Sequence, residues 1–182
     1  MRNNGQSQEA IEPYKGLARI APNNPSTYID IATTYDGLGN FAEALRNYEQ
    51  AFKLDPSWKT NQNINHEYGM ALFRDGDEPK AQETFELAFA KPDLKPRGLR
   101  SLAWLDLYHG KYTVAKPRLE EALLSDENYK WFLSILREHN LLAIVADGQG
   151  DRAGQLHQLD LALPYLTTSR APVRAGLWLG TQ

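Results

Sequence analysis

The sequence predicts an all-α protein built from antiparallel helix pairs that follow one another along the chain. Three observations lead to this prediction: glycines recur at a nearly constant step, small and large apolar residues follow them in a fixed order, and prolines close the first two units. The marker glycines are Gly5, Gly39, Gly76, Gly110 and Gly150, separated by 34, 37, 34 and 40 residues. A period of this length is typical of repeat architectures.

The residues after each marker glycine place a small side chain, a large apolar side chain and a further small or apolar side chain on one helix face. Alanine follows the first four glycines by five residues, a large residue comes four later, and the third position comes three after that. The residues are Ala10, Tyr14 and Leu17; Ala44, Tyr48 and Ala51; Ala81, Phe85 and Ala88; Ala115, Leu119 and Ala122. In the last unit Gln155 replaces the alanine, and Leu159 and Ala162 continue the pattern.

This spacing predicts how the helices pack. Residues at i, i+4 and i+7 share one face of an α-helix, and alanine there lets a neighbouring helix approach closely. The glycine ends the preceding helix and adopts positive φ in the turn. Pro22 and Pro56 close the first two units, whereas Pro13 lies deep in the first helix and is expected to kink or shorten it.

The segment from Pro25 to Pro56 resembles a tetratricopeptide repeat. Eight positions carry the resemblance, four in the first helix and four in the second helix and its closing proline: Tyr28, Ile31, Ala32, Tyr35, Ala44, Tyr48, Ala51 and Pro56. The resemblance implies a right-handed superhelix of antiparallel helix pairs, with about four full repeats and a half-repeat at each end.

In this register the chain is one tetratricopeptide-like domain over residues 1–182. The predicted divisions are a half-repeat at 1–24, repeats at 25–61, 62–95 and 96–127, a degenerate repeat at 128–169 and a half-repeat at 170–182. The first helix of the degenerate repeat is expected to run from about Asn128 to Asp147. Both ends therefore hold a single helix. The favoured interpretation is an excised segment of a larger bacterial protein, and the alternative is head-to-tail self-association through the terminal half-repeats.

Composition and charge exclude several classes of protein. The net charge is −3 and the basic residues are dispersed, which argues against binding of nucleic acid. The longest apolar run, Leu141 to Ala146, is far too short for membrane insertion. The absence of cysteine excludes thiolate metal sites but leaves the redox compartment open. A soluble, cytoplasmic location is favoured, and a periplasmic domain of a larger protein is the alternative.

The resemblance also indicates where a partner binds, because the first helix of each pair lines the concave groove in this family. The groove positions that we predict to contact a peptide or partner are His66, Met70, Phe73, Arg97, Arg100, Trp104, Tyr108, Arg137 and Asn140. Arginine forks beside aromatic rings suit carboxylates and extended peptide backbones, so a partner with acidic residues is expected. The alternative without a binding role is that the arginines are solvated and that Trp104 fills the core.

Two strings imitate catalytic motifs, and neither is convincing. LLAIVADGQGDRAG, residues 141–154, looks like a dinucleotide-binding loop, but no alternation of strands and helices surrounds it and its third glycine is one place late. HEYGM, residues 66–70, begins like a zinc-protease motif but has Met70 where the second histidine is needed. We therefore expect no cofactor, no metal and no enzymatic activity.

The sequence favours a non-catalytic protein-protein interaction scaffold that binds a peptide or protein surface in its groove. The alternative is a structural or sensory module of a larger regulatory or assembly protein, in which the repeats pack against neighbouring domains.

Overall fold

The computed structural model describes residues 4–92 and 94–168, and these residues are almost entirely helical. They contain nine α-helices, one 3-10 helix and no strand, which confirms the predicted all-α class. The α-helices are α1 (Asn4–Ile20), α2 (Pro25–Gly37), α3 (Phe41–Leu54), α4 (Gln62–Asp75), α5 (Glu78–Phe89), α6 (Lys95–Tyr108), α7 (Tyr112–Tyr129), α8 (Phe132–Gly148) and α9 (Arg152–Thr168). The 3-10 helix spans Pro56–Thr60. The predicted half-repeat at 170–182 lies outside the described residues.

Polar side chains cap the N-termini of four α-helices, α2 to α5. Each accepts a hydrogen bond from a backbone N–H group that has no partner inside the helix. Asn24 accepts from the second residue of α2 at 3.1 Å, and Asn40 accepts from the third residue of α3 at 3.3 Å. Asn61 and Asp77 cap α4 and α5 in the same way. These caps fix the start of each helix locally, because an Asn or Asp side-chain oxygen accepts from a backbone N–H that would otherwise have no hydrogen-bond partner in the protein.

The turns that follow the first helices confirm the predicted role of four marker glycines. Gly39, Gly76, Gly110 and Gly150 have φ between 68° and 99°, a conformation in which a side chain would be strained. Gly5 is the exception, because it lies inside α1. The same helix continues through Pro13, so the expected shortening is wrong.

The chain divides into two compact units, one ending at Leu102 and the other starting at Ala103, so that the boundary falls within α6. In the first unit α3 packs on α2 and α5 packs on α4. In the second unit α8 packs on α7 and α9 packs on α8.

Most of the predicted small and large positions lie in the core of the two units, but Leu17 of the first copy is 43% exposed. Nine residues of the pattern are 0–3% exposed: Ala44, Tyr48, Ala51, Ala81, Phe85, Ala88, Ala115, Leu119 and Ala122. Such alanines permit close helix contact, and the large residues between them fill the space. In the last helix Ala162 is buried at 3%, but Leu159 is 40% exposed, so the expectation that it continues the buried pattern is wrong.

The long helix expected from about Asn128 is interrupted. Helix α7 extends to Tyr129, and Lys130 then adopts a left-handed conformation with φ of 57°. Its N–H bonds to carbonyls of the preceding turn, which ends α7. Helix α8 begins only at Phe132. No glycine or proline marks this break in the sequence.

Candidate functional site

Polar side chains join successive first helices in the first unit. We call their surface the first-helix face and define it by Asp36 of α2, by Asn63, His66, Glu67 and Arg74 of α4, and by Arg97 of α6. The Arg74 guanidinium donates to both carboxylate oxygens of Asp36, at 3.1 and 3.2 Å. The Arg97 guanidinium donates to the side-chain oxygen of Asn63. The two residues of the first pair are 38 positions apart in the sequence, and those of the second pair are 34 apart, close to one repeat period. These bonds therefore hold equivalent helices side by side.

A histidine and a serine make a third link between α4 and α6. The Ser101 hydroxyl donates its hydrogen to the Arg97 carbonyl at 2.9 Å. The same hydroxyl oxygen lies 2.9 Å from His66 Nδ1, within hydrogen-bond distance. The His66 ring also packs near the Phe85 ring, with centroids 6.1 Å apart. His66 therefore fixes the spacing of two helices at this face.

The first-helix face carries charges of both signs. Burial, reinforced by the charge of Asp36, raises the pKa of Glu67 above its ordinary value, although a hydrogen bond from Tyr48 and the charge of Arg97 act in the opposite direction. The Tyr48 hydroxyl donates to Glu67 at 3.5 Å, and burial together with Glu67 raises the pKa of Tyr48. Two carboxylates and two guanidinium groups thus lie on one surface.

The structure places the predicted partner residues of the first unit in different environments. His66, Phe73 and Arg97 are half-buried and present part of their surface. Met70 and Arg100 are each only 8% exposed and offer little surface to a partner. Sequence spacing places Met70 and Arg100 near His66 and Arg97 on their helices, but spacing alone does not show which side of α4 or α6 is covered by other helices.

The predicted partner residues of the second unit lie on two helices. Trp104 is half-buried and Tyr108 is 64% exposed, and their rings stack with centroids 6.0 Å apart. Tyr108 also meets the His109 ring edge-to-face at 5.2 Å. Arg137 and Asn140 are exposed on α8, three residues apart and so on neighbouring positions of one face.

Five residues of the polar network were not among the predicted site residues: Asp36, Asn63, Glu67, Arg74 and Ser101. Arg74 lies in the last turn of α4, and Ser101 lies in α6. A usable sequence signal exists for Arg74, because a residue of opposite charge, Asp36, precedes it by about one repeat. No comparable signal marks Ser101, since its role depends on the approach of His66.

The described residues show neither a metal-binding cluster nor a membrane span. In residues 4–92 and 94–168 no group of three or more His, Asp or Glu side chains is arranged to hold a metal ion. Over the same residues, no helix combines the length and the apolar character needed to cross a bilayer.

Comparison with known proteins identifies the repeat unit. The sequence model of the tetratricopeptide-repeat family matches residues 25–58. Residues 25–58 form a tetratricopeptide repeat. A curated relative, the Photosystem I assembly protein Ycf3 of Rippkaea orientalis (strain PCC 8801 / RF-1), is 28% identical over 111 residues. That match covers 58% of this chain and 64% of the relative, so the chain spans less than two thirds of the relative's length.

Solved structures of repeat proteins share this helical fold. A crystal structure of MamA matches with a TM-score of 0.63 at 20% identity, covering 92% of both chains. The nearly identical TPR-like repeats of a kinesin light chain from Podosopora anserina match with a TM-score of 0.64 at 20% identity, covering 92% of this chain and 91% of that one. At this identity the likeness concerns the fold alone.

Proposed function

We propose that the chain is a non-catalytic scaffold that binds an extended peptide or protein segment on the first-helix face. The observation that supports this proposal is the alignment of α2, α4 and α6 by side-chain bonds separated by about one repeat. Successive helices then present polar groups at a regular spacing, which suits the repeating carbonyl and N–H groups of an extended chain.

The chemistry of the face favours a partner with charged residues. Arg97 supplies a planar guanidinium that matches a carboxylate, which supports the expected acidic residue in the ligand. Asp36 and Glu67 lie on the same face, so a basic residue placed further along the ligand would be attracted to them. The ligand that fits best therefore carries both charges rather than a uniformly acidic tail.

The arrangement of His66 and Ser101 supports the non-catalytic assignment. A serine nucleophile needs a histidine that accepts its proton. Here the Ser101 hydroxyl donates to the Arg97 carbonyl, and Ser101 is only 2% exposed. The pair links two helices and lacks the access to substrate that a nucleophile needs.

Selection from a phage-displayed library of random twelve-residue peptides tests this proposal. Arg97→Glu is compared with Arg46→Glu, which makes the same charge change at an exposed position of the second helix α3. We expect enriched peptides to bind the Arg46→Glu variant like the wild type and to lose about tenfold or more in affinity for Arg97→Glu. No enrichment, or equal losses in both variants, would refute the assignment.

A second candidate is a module of a larger assembly or regulatory protein that packs against a folded neighbour. The match to a protein named as an assembly factor supports it. So does an apolar stripe on α9, formed by Leu156, Leu159, Leu163 and Leu166, each 40–56% exposed. These residues recur at helical spacing, and exposed apolar surface of this kind marks interaction sites.

Affinity capture from a lysate of the source cell distinguishes the two candidates. A protein retained by the wild type and by Arg97→Glu, but lost by Leu159→Asp/Leu163→Asp, would favour the module that packs through α9. The reverse dependence would favour the peptide scaffold. We also propose the division into repeats at 25–61, 62–95 and 96–127, and self-association through the terminal half-repeats.

A further inference from the structure

A cleft opens between two second helices of the first unit, away from the residues of the first-helix face. Helices α3 and α5 form its walls, the 3-10 helix contributes one end, and two side chains of α4 contribute to its lining. Its volume is about 350 Å³. Ligand pockets range from about 300 to 1,000 Å³, so the cleft can take one large side chain or a few atoms more.

Phe52, Tyr68 and Leu87 supply the apolar and aromatic part of a cleft that is otherwise lined by polar and charged residues. The rings of Phe52 and Tyr68 meet edge-to-face with centroids 5.0 Å apart. Phe52 and Tyr68 are only 5% and 9% exposed, and the Lys80 ammonium lies 6.0 Å from the centroid of the Tyr68 ring. The main apolar surface of the cleft is therefore Leu87 on the α5 side, which is 52% exposed. A half-exposed leucine beside buried rings offers an apolar side chain a contact surface that water covers when no partner is bound.

Hydrogen bonds hold the cleft open before any ligand arrives. The buried Asn65 side chain donates to the Lys59 carbonyl at 3.2 Å and to the Thr84 carbonyl at 3.0 Å. One amide group thus ties the 3-10 helix and α5 to α4. Both of its hydrogens are used, so Asn65 shapes the cleft and leaves ligand binding to other groups. A preformed cavity reduces the ordering cost of binding.

The lining of the cleft carries an excess of positive charge although the whole chain is negative. Lys80 Nζ lies 3.2 Å from Glu49 Oε1, so the charges of these two side chains compensate each other. Lys53 and Lys59 also line the cleft, and neither forms a salt bridge within residues 4–92 and 94–168. Only Glu83 opposes them in the lining. Two ammonium groups near the half-exposed Leu87 attract a carboxylate next to an apolar group.

We propose that this cleft is a second docking site, which receives a partner-protein segment with one leucine- or phenylalanine-sized side chain next to an aspartate or glutamate. The apolar side chain lies mainly against Leu87, with the small exposed parts of Phe52 and Tyr68 behind it, and the carboxylate lies near Lys53 and Lys59. The site goes beyond the proposed function because its walls are second helices, so a segment can dock here while the first-helix face is occupied.

A peptide selection tests the cleft separately from the first-helix face. The Arg97→Glu chain serves as bait for a phage-displayed library of random seven-residue peptides, which disfavours ligands of the first-helix face. Enriched peptides are then titrated against this chain carrying either Lys53→Glu/Lys59→Glu or Leu87→Glu. The matched control is Lys91→Glu/Lys111→Glu, which makes the same change in net charge at exposed positions outside the cleft.

We expect the enriched peptides to share an apolar residue adjacent to an acidic one. Their affinity is expected to fall by about tenfold or more for both cleft variants and to change less than about twofold for the control. The proposal is overturned by an absence of enrichment, by enriched peptides without an acidic residue, or by equal losses in the cleft and control variants. Circular dichroism of each variant verifies that the helices are retained.

Discussion

Replacement of Gly98 by alanine tests how closely α5 and α6 approach each other. A Cβ atom at this position would lie 2.4 Å from the Phe89 backbone nitrogen and 2.7 Å from its Cα atom. Ordinary contacts of a Cβ atom begin near 3.4 Å, so the two segments must separate by about 1 Å. The obstructing atoms are backbone, and no side-chain rotation relieves the overlap.

The expected loss of stability follows from two opposing effects. Overpacking of a tight contact costs about 1–3 kcal/mol, and the upper part of this range applies because the backbone itself must move. Alanine in place of glycine recovers about 1 kcal/mol of helix propensity. The net loss is then about 2 kcal/mol, which is roughly a 30-fold shift of the folding equilibrium.

Urea unfolding followed by circular dichroism measures this difference, with Gly16→Ala as the control. Gly16 lies in the middle of α1, and an added Cβ meets no atom within 4 Å. The control is expected to gain up to about 1 kcal/mol, because only the propensity effect acts there. If Gly98→Ala is as stable as Gly16→Ala, the close approach of α5 and α6 is wrong.

Two further predictions concern buried polar groups. Glu67→Gln is expected to stabilise the protein at pH 7. The raised pKa of the Glu67 carboxyl means that folding disfavours its charged form. The stability of the wild type therefore falls as pH rises from about 4.5 through the folded pKa. Urea midpoints between pH 4 and 8 measure this, and a difference between variant and wild type that does not shrink toward pH 4 would contradict it. Asn65→Ala is expected to cost about 2–3 kcal/mol, because the carbonyls of Lys59 and Thr84 lose a buried donor. Thermal unfolding measures the loss, and a change below about 0.5 kcal/mol would mean that water replaces the amide.

The helix-pair architecture could be predicted because its signals are local. Ala44, Tyr48 and Ala51 occupy one helix face by spacing alone, and the structure buries all three. Gly39 and Gly76 mark turns because their backbone conformation is strained for other residues. Such features depend on a few neighbouring residues and persist in any chain that forms these helices.

The candidate surfaces were less accessible to sequence reasoning. Met70 and Arg100 share helical spacing with His66 and Arg97, yet each is only 8% exposed, because burial of a helix face depends on the helices around it. The break after Tyr129 also had no signal, since a lysine adopts the left-handed conformation that glycine takes in the other turns.

The sequence by itself determined that this chain forms helix pairs, where most of them turn and which small residues lie between them. Only the tertiary structure decided that Arg97 bonds to Asn63, that His66 lies within hydrogen-bond distance of Ser101, and that α3 and α5 leave a cleft between them. The physical reason is distance. Periodicity specifies which face of a helix is buried, whereas hydrogen bonds and cavities depend on how far apart two helices lie, to within about an ångström.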